Sequence, residues 1–301
     1  MSKVLILGAE GGLGVQLNKI FEHSDYQVVG WDKNDIDITD KELVKEKIEE
    51  IRPDIIINAA AYNKVDKCEE EEGYEVARKI NGEAPGYLAE AALKTGSLLV
   101  HYSSDYIFDG KRKEGYKEDD DPDPVNDYGE TKLMGEREII QKSGEGLEWY
   151  LIRTSKLFGP QGENEEAKPS FFDTMLKLAS EKEELKVVND EISKFTYTPD
   201  LARATKDLIE EKKGYGIYHI ANSGACSWYD GVQELFRIKN INTKVTPVSG
   251  EEFERPARRP AYSVLVNTKL PELRSWQEAL QEYYEEPRLS RKAGREVKDN
   301  K

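Results

Sequence analysis

Tyr128 and Lys132 lie four residues apart, a spacing that puts both side chains on one face of a helix. A free tyrosine titrates at about pH 10, which is too high for efficient proton transfer at neutral pH. A neighbouring ammonium stabilises the phenolate and lowers the pKa of the phenol. The pair is therefore a candidate for acid catalysis, although the same spacing also arises by chance in a chain with 16 tyrosines.

A candidate hydroxyl precedes this pair in the chain. Residues 97–102 form an apolar run typical of a buried strand, and the run ends in Ser103-Ser104-Asp105-Tyr106. A hydroxyl at the carboxyl end of a central strand is well placed to polarise a carbonyl oxygen. We therefore expect Ser104, Tyr128 and Lys132 to act together on a carbonyl group, with Tyr128 as the catalytic acid.

A glycine-rich turn follows the first apolar run, Val4–Leu7. Glycines allow a tight turn and a close approach of the backbone to a pyrophosphate, whose charge sits at the N-terminus of the helix that follows. Because the turn opens a βαβ unit, it indicates a dinucleotide site rather than only a tight turn. The candidate cofactor contacts here are Gly8, Gly11, Gly12, Leu13 and Gly14.

An acidic residue is expected about 20 residues beyond such a turn, at the end of the second strand. Asp32 follows the strand-like run Gln27–Trp31. Its carboxylate can accept hydrogen bonds from the adenosine ribose and would repel a 2′-phosphate, which favours NADH, whereas Lys33 next to it leaves NADPH open. A merely solubilising role for Asp32 is the alternative. We expect Asp37 and Ile38 at the adenine.

Small side chains follow the third strand-like run, Asp54–Asn58. They leave room for a ligand at the carboxyl edge of a sheet, which is where α/β proteins bind nucleotides, although a tightly packed helix start would also need them. Lys132 is in addition expected to hold the nicotinamide ribose. The further candidate cofactor contacts are Asn58, Ala59, Ala60, Ala61, Tyr62, Tyr128 and Lys132.

Short apolar runs alternate with helical patterns through the first half of the chain. This alternation predicts an α/β fold, a Rossmann-type doubly wound parallel sheet covered by helices on both faces. We divide the chain into an NAD(P)-binding domain (1–158), a smaller substrate lobe interleaved with the sheet (159–286) and a polar tail (287–301) that we expect to be disordered.

The individual elements are predicted from these patterns. Strands are expected at Val4–Leu7, Gln27–Trp31, Asp54–Asn58, Ser97–Tyr102, Trp149–Arg153 and Gly216–Ile220. Helices are expected at Leu13–Phe21, Lys41–Ile51, Glu75–Lys94, Lys132–Gln141, Ser170–Ala179, Asp200–Lys212, Ser227–Phe236 and Leu273–Glu285, and a polar loop at Gly162–Lys168.

Composition bears on other classes of function. The net charge of −15 argues against nucleic-acid binding. No apolar run approaches the roughly 20 residues of a membrane helix, and the N-terminal run is too short for a signal peptide, so we expect a cytoplasmic protein. Cys68 and Cys226 are interpreted as free thiols. His23, His101 and His219 form no cluster, His101 is interpreted as a satisfied core residue, and no metal site is predicted.

The chain resembles the extended short-chain dehydrogenases/reductases, and among them the dTDP-4-dehydrorhamnose reductase family. The resemblance covers nearly the whole chain up to the tail, and its most distinctive run is Ser103 to Gly110. It also rests on residues 58–62 and 65–67, Tyr116, Glu118, Asp120, Pro122, Pro124, Asn126, Tyr128-Gly129, residues 132–136 and 153–155, Thr196, residues 200–202 and 227–229, Arg259-Pro260 and Ser263.

This resemblance implies hydride transfer from a reduced nicotinamide to C4 of a 4-keto-6-deoxy sugar nucleotide, in the formation of dTDP-L-rhamnose. Tyr128 would protonate the developing alkoxide, Ser104, where the family usually has threonine, would hydrogen-bond the carbonyl oxygen, and Lys132 would hold the ribose. A homodimer is compatible with the resemblance. The substrate contacts that it implies are Val65, Ser104, Asp105, Tyr106, Tyr128, Lys156 and Arg259.

Three departures from the family pattern keep alternatives open. Lys156 stands where the family usually has tryptophan near the sugar. The stretch 190–196 differs from the family's sequence, and the family's pattern is only partly recognisable in residues 162–172. One alternative is a reductase or epimerase for a different nucleotide-sugar. Another is a non-enzymatic regulatory subunit, similar to the β subunit of methionine adenosyltransferase, since a fold does not determine a function.

Overall fold

The structure is a computed structural model that describes residues 1–164 and 167–285. Its strands are β1 (Ser2–Leu7), β2 (Tyr26–Trp31), β3 (Ile55–Asn58), β4 (Leu98–Ser104), β5 (Trp149–Thr154), β6 (Leu157–Phe158), β7 (Glu184–Val188), β8 (Thr196–Tyr197), β9 (Gly216–His219), β10 (Asn222–Ser223), β11 (Lys244–Val248) and β12 (Leu273–Ser275). Its α-helices are α1 (Gly12–Glu22), α2 (Lys41–Ile51), α3 (Glu71–Ala77), α4 (Ala84–Thr95), α5 (Asp127–Ser143), α6 (Phe171–Glu181), α7 (Thr198–Glu210), α8 (Trp228–Lys239) and α9 (Trp276–Glu285).

Six strands form the central sheet in the order β2-β1-β3-β4-β5-β9, and all five pairings are parallel. The predicted doubly wound parallel sheet is therefore confirmed. The chain crosses from one side of β1 to the other between β2 and β3, and the carboxyl ends of strands at such a crossing form the crevice where doubly wound folds bind ligands.

The sheet is buried on both faces because consecutive side chains of a strand point to opposite sides. In β1, Val4 and Ile6 join a core beneath α1 and α7, whereas Leu5 and Leu7 join a core beneath α2 and α4. All four side chains are at most 1% exposed. Strands buried on both faces are expected to be continuously apolar, which is the pattern that the sequence carries here.

The second half adds three short parallel pairs, β6 with β8, β7 with β11 and β10 with β12. These surround a separate, aromatic-rich core that includes Phe158, Phe172, Phe195, Trp276 and Tyr283. The six strands were not predicted, because pairs of two to five residues give too little periodicity to recognise.

Several predicted boundaries change. The predicted helix Glu75–Lys94 is a helical run over Glu71–Thr95, interrupted by a π-helical turn at Arg78–Glu83. Residues Leu273–Ser275, predicted as helical, form a strand, and α9 begins only after Ser275. The Ser275 hydroxyl accepts from the Glu278 backbone N–H at 3.2 Å, while the Glu278 carboxylate accepts from the Ser275 N–H at 2.9 Å, so this reciprocal cap sets the helix start.

The other predicted strands and helices are present with shifts of a few residues, apart from α5, which begins five residues before the predicted start at Lys132. The start of α5 follows from Asn126, whose side chain accepts from the Gly129 N–H at 2.7 Å. The predicted loop at Gly162–Lys168 falls partly, and the predicted disordered tail at 287–301 wholly, outside the described residues.

Candidate active site

The glycine turn connects β1 to α1 at the carboxyl edge of the sheet. Gly8 has a φ of +72°, and a Cβ there would lie 2.7 Å from the Ala60 backbone nitrogen. A Cβ at Gly14 would lie 2.1 Å from the Gly8 carbonyl oxygen, so both positions exclude any side chain. The Gly11 N–H donates to the Gly8 oxygen at 3.1 Å, which closes the turn.

Helix α1 starts directly from this turn, with Gly12 as its first residue and a buried Leu13 as its second. Among the described residues, no side chain caps this helix and its first turn carries no acidic group. The N–H groups of an uncapped first turn are available to an anionic ligand, and the helix dipole favours negative charge there. The turn therefore fits the pyrophosphate of a dinucleotide.

Asp32 lies just beyond the end of β2, beside the glycine turn. Its Oδ2 accepts from the Glu10 N–H at 3.1 Å and its Oδ1 from the Lys33 N–H at 2.8 Å. Asp37 is exposed in the following loop, where its Oδ1 accepts from the backbone N–H and the hydroxyl of Thr39, at 2.9 and 2.7 Å. Ile38, by contrast, is buried.

The segment after β3 is held by two buried amides. Asn58 accepts from the Ala60 N–H at 3.2 Å and contacts the His101 Nδ1 at 3.1 Å. Asn81, in the π-helical turn, accepts from the Tyr62 N–H at 2.9 Å and donates to the Tyr62 carbonyl at 3.0 Å. Ala59, Ala60 and Ala61 are partly exposed, and the backbone of Ala59 and Ala60 lies against Gly8 of the glycine turn.

Tyr128 lies in the first turn of α5 and is 8% exposed. Its hydroxyl donates to the Asn63 side-chain oxygen at 3.3 Å, and the Ser104 side chain lies beside it. The Tyr106 ring packs edge-on against it with centroids 5.9 Å apart. The structure thus brings Tyr128 together with Ser104, from the end of β4, as the sequence predicts.

The protonation of Tyr128 differs from the expectation. Burial raises the pKa of the phenol above its usual value, the Asp105 charge raises it further, and the hydrogen bond with Ser104 lowers it. Lys132 is one turn away, but its Nζ donates to the Tyr102 backbone oxygen at 2.6 Å. The prediction that Lys132 lowers the pKa of Tyr128 is wrong for this structure, because the ammonium is directed at strand β4.

Burial lowers the pKa of the Lys132 ammonium to about 8. Its neighbour His101 is buried as predicted, and burial and the Lys132 charge lower the pKa of the imidazole. His101 is not fully satisfied, since its Nε2 has no hydrogen-bond partner among the described residues. The imidazole is therefore neutral at physiological pH and leaves Lys132 as the cation behind Tyr128.

Asp105 is a buried carboxyl next to this pair. Its Oδ2 accepts from the Ser263 hydroxyl at 2.5 Å and its Oδ1 from Ser104 at 3.2 Å. Burial raises the pKa of the carboxyl to about 6, against the opposing effects of Ser263 and the Lys156 charge. Asp105 therefore connects the strand-end serine to the second lobe.

Lys156 lies two residues after β5, in a left-handed backbone conformation with a φ of +39°. Its Nζ donates to the backbone oxygens of Glu191 and Cys226 at 3.1 and 3.3 Å and lies 4.4 Å from the Trp228 ring centroid. Burial lowers the pKa of this ammonium to about 8. A buried cation on a left-handed backbone is unusual, and such outliers concentrate at functional sites.

Val65 and Arg259 lie close together, because Arg259 pairs with Asp66, the residue after Val65. Val65 starts a short 3₁₀ helix and packs, with Tyr62 and Tyr106, against the cluster that contains Tyr128. Arg259 forms a bidentate pair with Asp66, with its Nη2 2.8 Å from Oδ2. The predicted substrate residue Arg259 thus already has an acidic partner within the chain.

Sequence reasoning missed several residues of this site. Asn63 and Asn81 were not singled out, although Asn81 is a polar residue on the buried side of a helical pattern and so carries a recognisable signal. Glu163 and Gly162 approach the glycine turn, the Glu163 N–H donating to the Glu10 oxygen at 2.7 Å. No local pattern predicts that contact, because it joins segments about 150 residues apart.

Within residues 1–164 and 167–285, no group of three or more His, Cys, Asp or Glu side chains is arranged to hold a metal ion. Cys68 and Cys226 are buried free thiols, as predicted. In this same part of the chain, every helix is too short or too polar to span a bilayer.

Comparison with known proteins gives several relatives that match most of the chain. The spore coat polysaccharide biosynthesis protein SpsK of Bacillus subtilis (strain 168) is 40% identical over 290 residues, which cover 95% of this chain and 98% of that protein. The dTDP-4-dehydrorhamnose reductase of Escherichia coli (strain K12) is 34% identical over 280 residues, which cover 88% and 90% of the two chains.

Solved structures of similar proteins superimpose on this chain. A dTDP-4-dehydrorhamnose reductase from Bacillus anthracis in complex with NADP superimposes with a TM-score of 0.87 at 37% identity, covering 94% of this chain and 98% of that one. The UDP-glucose 4-epimerase of Thermus thermophilus in complex with NAD, at 18% identity and a TM-score of 0.73, shares the fold alone. The predicted Rossmann-type fold is confirmed.

Family membership follows from the family description "RmlD substrate binding domain", which matches residues 2–289. That match and the relatives above, of at least 34% identity, span nearly the whole chain. This chain is therefore a member of the RmlD substrate-binding domain family.

Proposed function

We propose that the protein is an NAD(P)H-dependent reductase of the C4 ketone of a dTDP-4-keto-6-deoxy sugar. The observation that carries the proposal is the buried Tyr128, whose hydroxyl donates to Asn63 and lies beside Ser104 at the carboxyl edge of the sheet. The relatives named dTDP-4-dehydrorhamnose reductase support the substrate class. The relative in complex with NADP supports the cofactor class.

The residues around the glycine turn fit a dinucleotide. Gly8, Gly11, Gly12, Leu13 and Gly14 would hold the pyrophosphate, since Gly8 and Gly14 leave no room for a side chain and the turn opens an uncapped helix. Asp32 would bind the adenosine ribose, with Asp37 and Ile38 near the adenine. The nicotinamide half would contact Lys132, Tyr128 and residues 58–62.

A reduced nicotinamide bound in this site would supply the hydride for the carbonyl carbon. Ser104 would hydrogen-bond the carbonyl oxygen and withdraw charge from it. Tyr128 would give its proton to that oxygen, so that the ketone becomes an alcohol and the phenolate is later reprotonated from solvent. The raised pKa of Tyr128 keeps the phenol protonated at neutral pH, which is the form that a reduction consumes.

The sugar nucleotide would lie between the two lobes. The proposed contacts are Val65, Ser104, Asp105, Tyr106, Tyr128, Lys156 and Arg259. Val65 and Tyr106 pack against the cluster that contains Tyr128, and Arg259 pairs with Asp66, the residue after Val65, which supports a shared binding region. A guanidinium in this region suits the diphosphate of a nucleotide-sugar.

The test is the Tyr128→Phe variant in an assay of NADPH oxidation with dTDP-4-dehydrorhamnose. Loss of the proton donor should lower kcat by about 10²–10⁴-fold. Tyr150→Phe is the matched control, because Tyr150 is also a buried tyrosine and its hydroxyl donates to the Lys213 backbone oxygen at 2.6 Å, away from the site. Full turnover by Tyr128→Phe, or none by the wild type, would show the proposal to be wrong.

We propose further that the enzyme prefers NADH. The support is the Asp32 carboxylate at the expected ribose position, although Lys33 is adjacent and a 37%-identical relative binds NADP. The expected result is a higher kcat/KM for NADH than for NADPH, and an Asp32→Ser variant in which the ratio moves toward NADPH. If the ratio of kcat/KM for NADH to that for NADPH is the same in the wild type and in Asp32→Ser, the result contradicts the preference.

Lys156 supports a second candidate, a reductase or epimerase for a different nucleotide-sugar. A desolvated ammonium near Asp105 differs chemically from the tryptophan that related reductases are expected to have there.

The formation of a homodimer stays a prediction, which sedimentation of the purified chain would test.

A further inference from the structure

Helix α5 carries a third buried polar residue on the face that holds Tyr128 and Lys132. Glu136 follows Lys132 by four residues, so the three side chains lie one turn apart in a row. Tyr128 is 8%, Lys132 2% and Glu136 0% exposed. Burying a carboxylate is costly unless it is paired, and the mechanism proposed above does not use Glu136.

Arg153 of β5 holds this carboxylate in place. Its Nε lies 3.1 Å from Oε1 of Glu136 and its Nη2 2.7 Å from Oε2, a bidentate geometry. The guanidinium is itself fixed, because it donates to the Glu118 backbone oxygen at 3.3 Å and lies over the Phe108 ring. The Glu136 carboxylate therefore has one position relative to α5 and the sheet.

Lys132 is the buried cation one helical turn before this carboxylate. Burial lowers the pKa of the Lys132 ammonium, and the Glu136 charge raises it. The titratable and charged groups that face Lys132, Tyr128 and Glu136 from the packed elements are His101 of β4, Cys68 and Asp105 of the 3₁₀ helices, and Arg153 of β5.

We propose that Glu136, clamped by Arg153, is a positioning residue that keeps the Lys132 ammonium charged and directed at the Tyr102 carbonyl behind Tyr128. The consequence for turnover rests on the proposed reductase function, whereas the effect on Lys132 itself does not. Without the carboxylate, the uncompensated Arg153 charge and the burial of Lys132 both favour the neutral amine.

The experiment is an NMR titration of the full-length chain with labelled lysine, in which the Lys132 signal is assigned by its loss in Lys132→Met. In Glu136→Gln, the titration midpoint of Lys132 should fall by about one pH unit or more. The alkaline limb of kcat/KM should move in the same direction, since activity is lost as pH rises through the pKa of Lys132. The activity at about pH 9 should then fall roughly tenfold relative to wild type.

Ile139→Val on the same helix is the matched control for a general loosening of packing. It should leave the midpoint where it is in the wild type. If Glu136→Gln does not fold, Glu136→Gln with Arg153→Met removes both charges, and its midpoint should also lie below that of the wild type. An unmoved Lys132 midpoint in the variant that folds overturns the proposal. A lowered midpoint in a protein that reduces no keto sugar supports it while refuting the reductase function.

Discussion

Asp105 shows how a single buried residue links the stability of the protein to its site. Its carboxyl accepts from Ser104 and Ser263, and burial raises its pKa from 3.8 to about 6. Because the folded state binds the proton more tightly than the unfolded state, the contribution of Asp105 to stability is present at low pH. It is lost as pH rises from about 4 through about 6.

Asp105→Asn should therefore stabilise the protein at neutral pH and lower its activity. The amide keeps an acceptor for Ser263 but carries no buried charge. At about pH 7.5 we expect a gain of roughly 1–3 kcal/mol in the free energy of unfolding, shrinking toward zero below about pH 4. Urea unfolding at several pH values measures this difference.

Asp109→Asn is the control, because its expected change in the free energy of unfolding has the opposite sign. Burial opposes ionisation of Asp109, but hydrogen bonds from Lys111 and Tyr116 outweigh it and lower the pKa of the carboxyl to about 2. Its removal should destabilise the protein above about pH 4. A loss of stability in Asp105→Asn that is equal at all pH values would contradict the role given to burial.

At the scale of elements, the π-helical turn between α3 and α4 positions one side of the site. It places the Asn81 amide where it binds both the N–H and the carbonyl of Tyr62 and lies 3.3 Å from the Thr131 hydroxyl. An uninterrupted α-helix would direct this position differently, since each residue advances the helix by a fixed angle. Such turns are frequently found at functional sites.

Asn81→Ala should loosen the segment that follows β3. Leaving the Tyr62 backbone groups unpaired should cost about 1–3 kcal/mol of stability, and the Kd for NADPH should rise roughly tenfold. Thermal unfolding and fluorescence titration measure the two effects. Lys79→Ala, an exposed position in the same turn, should change neither, and an unchanged Kd in Asn81→Ala would contradict the contact with the cofactor.

At the scale of the molecule, polar contacts join the second lobe to the sheet around the cleft. Arg259 pairs with Asp66, Ser263 donates to Asp105, and the Glu163 N–H donates to the Glu10 oxygen. The core of the second lobe is separate from the cores of the sheet, so ligands that lie between the lobes add interactions that the protein alone lacks. A correct ligand should therefore raise the stability of the whole molecule.

A panel of nucleotide-sugars tests this in the presence of NADPH. At 100 times its Kd, a bound ligand stabilises by about 2.7 kcal/mol, or roughly 5 °C in Tm. We expect the dTDP-4-keto-6-deoxy sugar to raise the Tm more than UDP-glucose does. Lys156→Trp, measured alongside, should change the ranking if Lys156 selects the sugar. An identical ranking in both proteins would exclude that role.

The sequence by itself determined the features that depend on neighbours in the chain. A continuous apolar run predicts a strand buried on both faces, and glycines at 8, 11 and 14 predict a turn without room for side chains, as Gly8 and Gly14 show. The spacing of Tyr128 and Lys132 placed them one helical turn apart. These predictions hold because local sterics and periodicity decide them.

Only the tertiary structure decided what each functional group contacts. The spacing predicted that Lys132 would act on Tyr128, yet its ammonium donates to the Tyr102 carbonyl, because strand β4 runs beneath the helix. The pairing of Arg259 with Asp66, the clamp of Arg153 on Glu136 and the burial that sets the pKa of Asp105 join residues far apart in sequence. Such contacts and their desolvation depend on how the packed elements meet, and no local pattern encodes them.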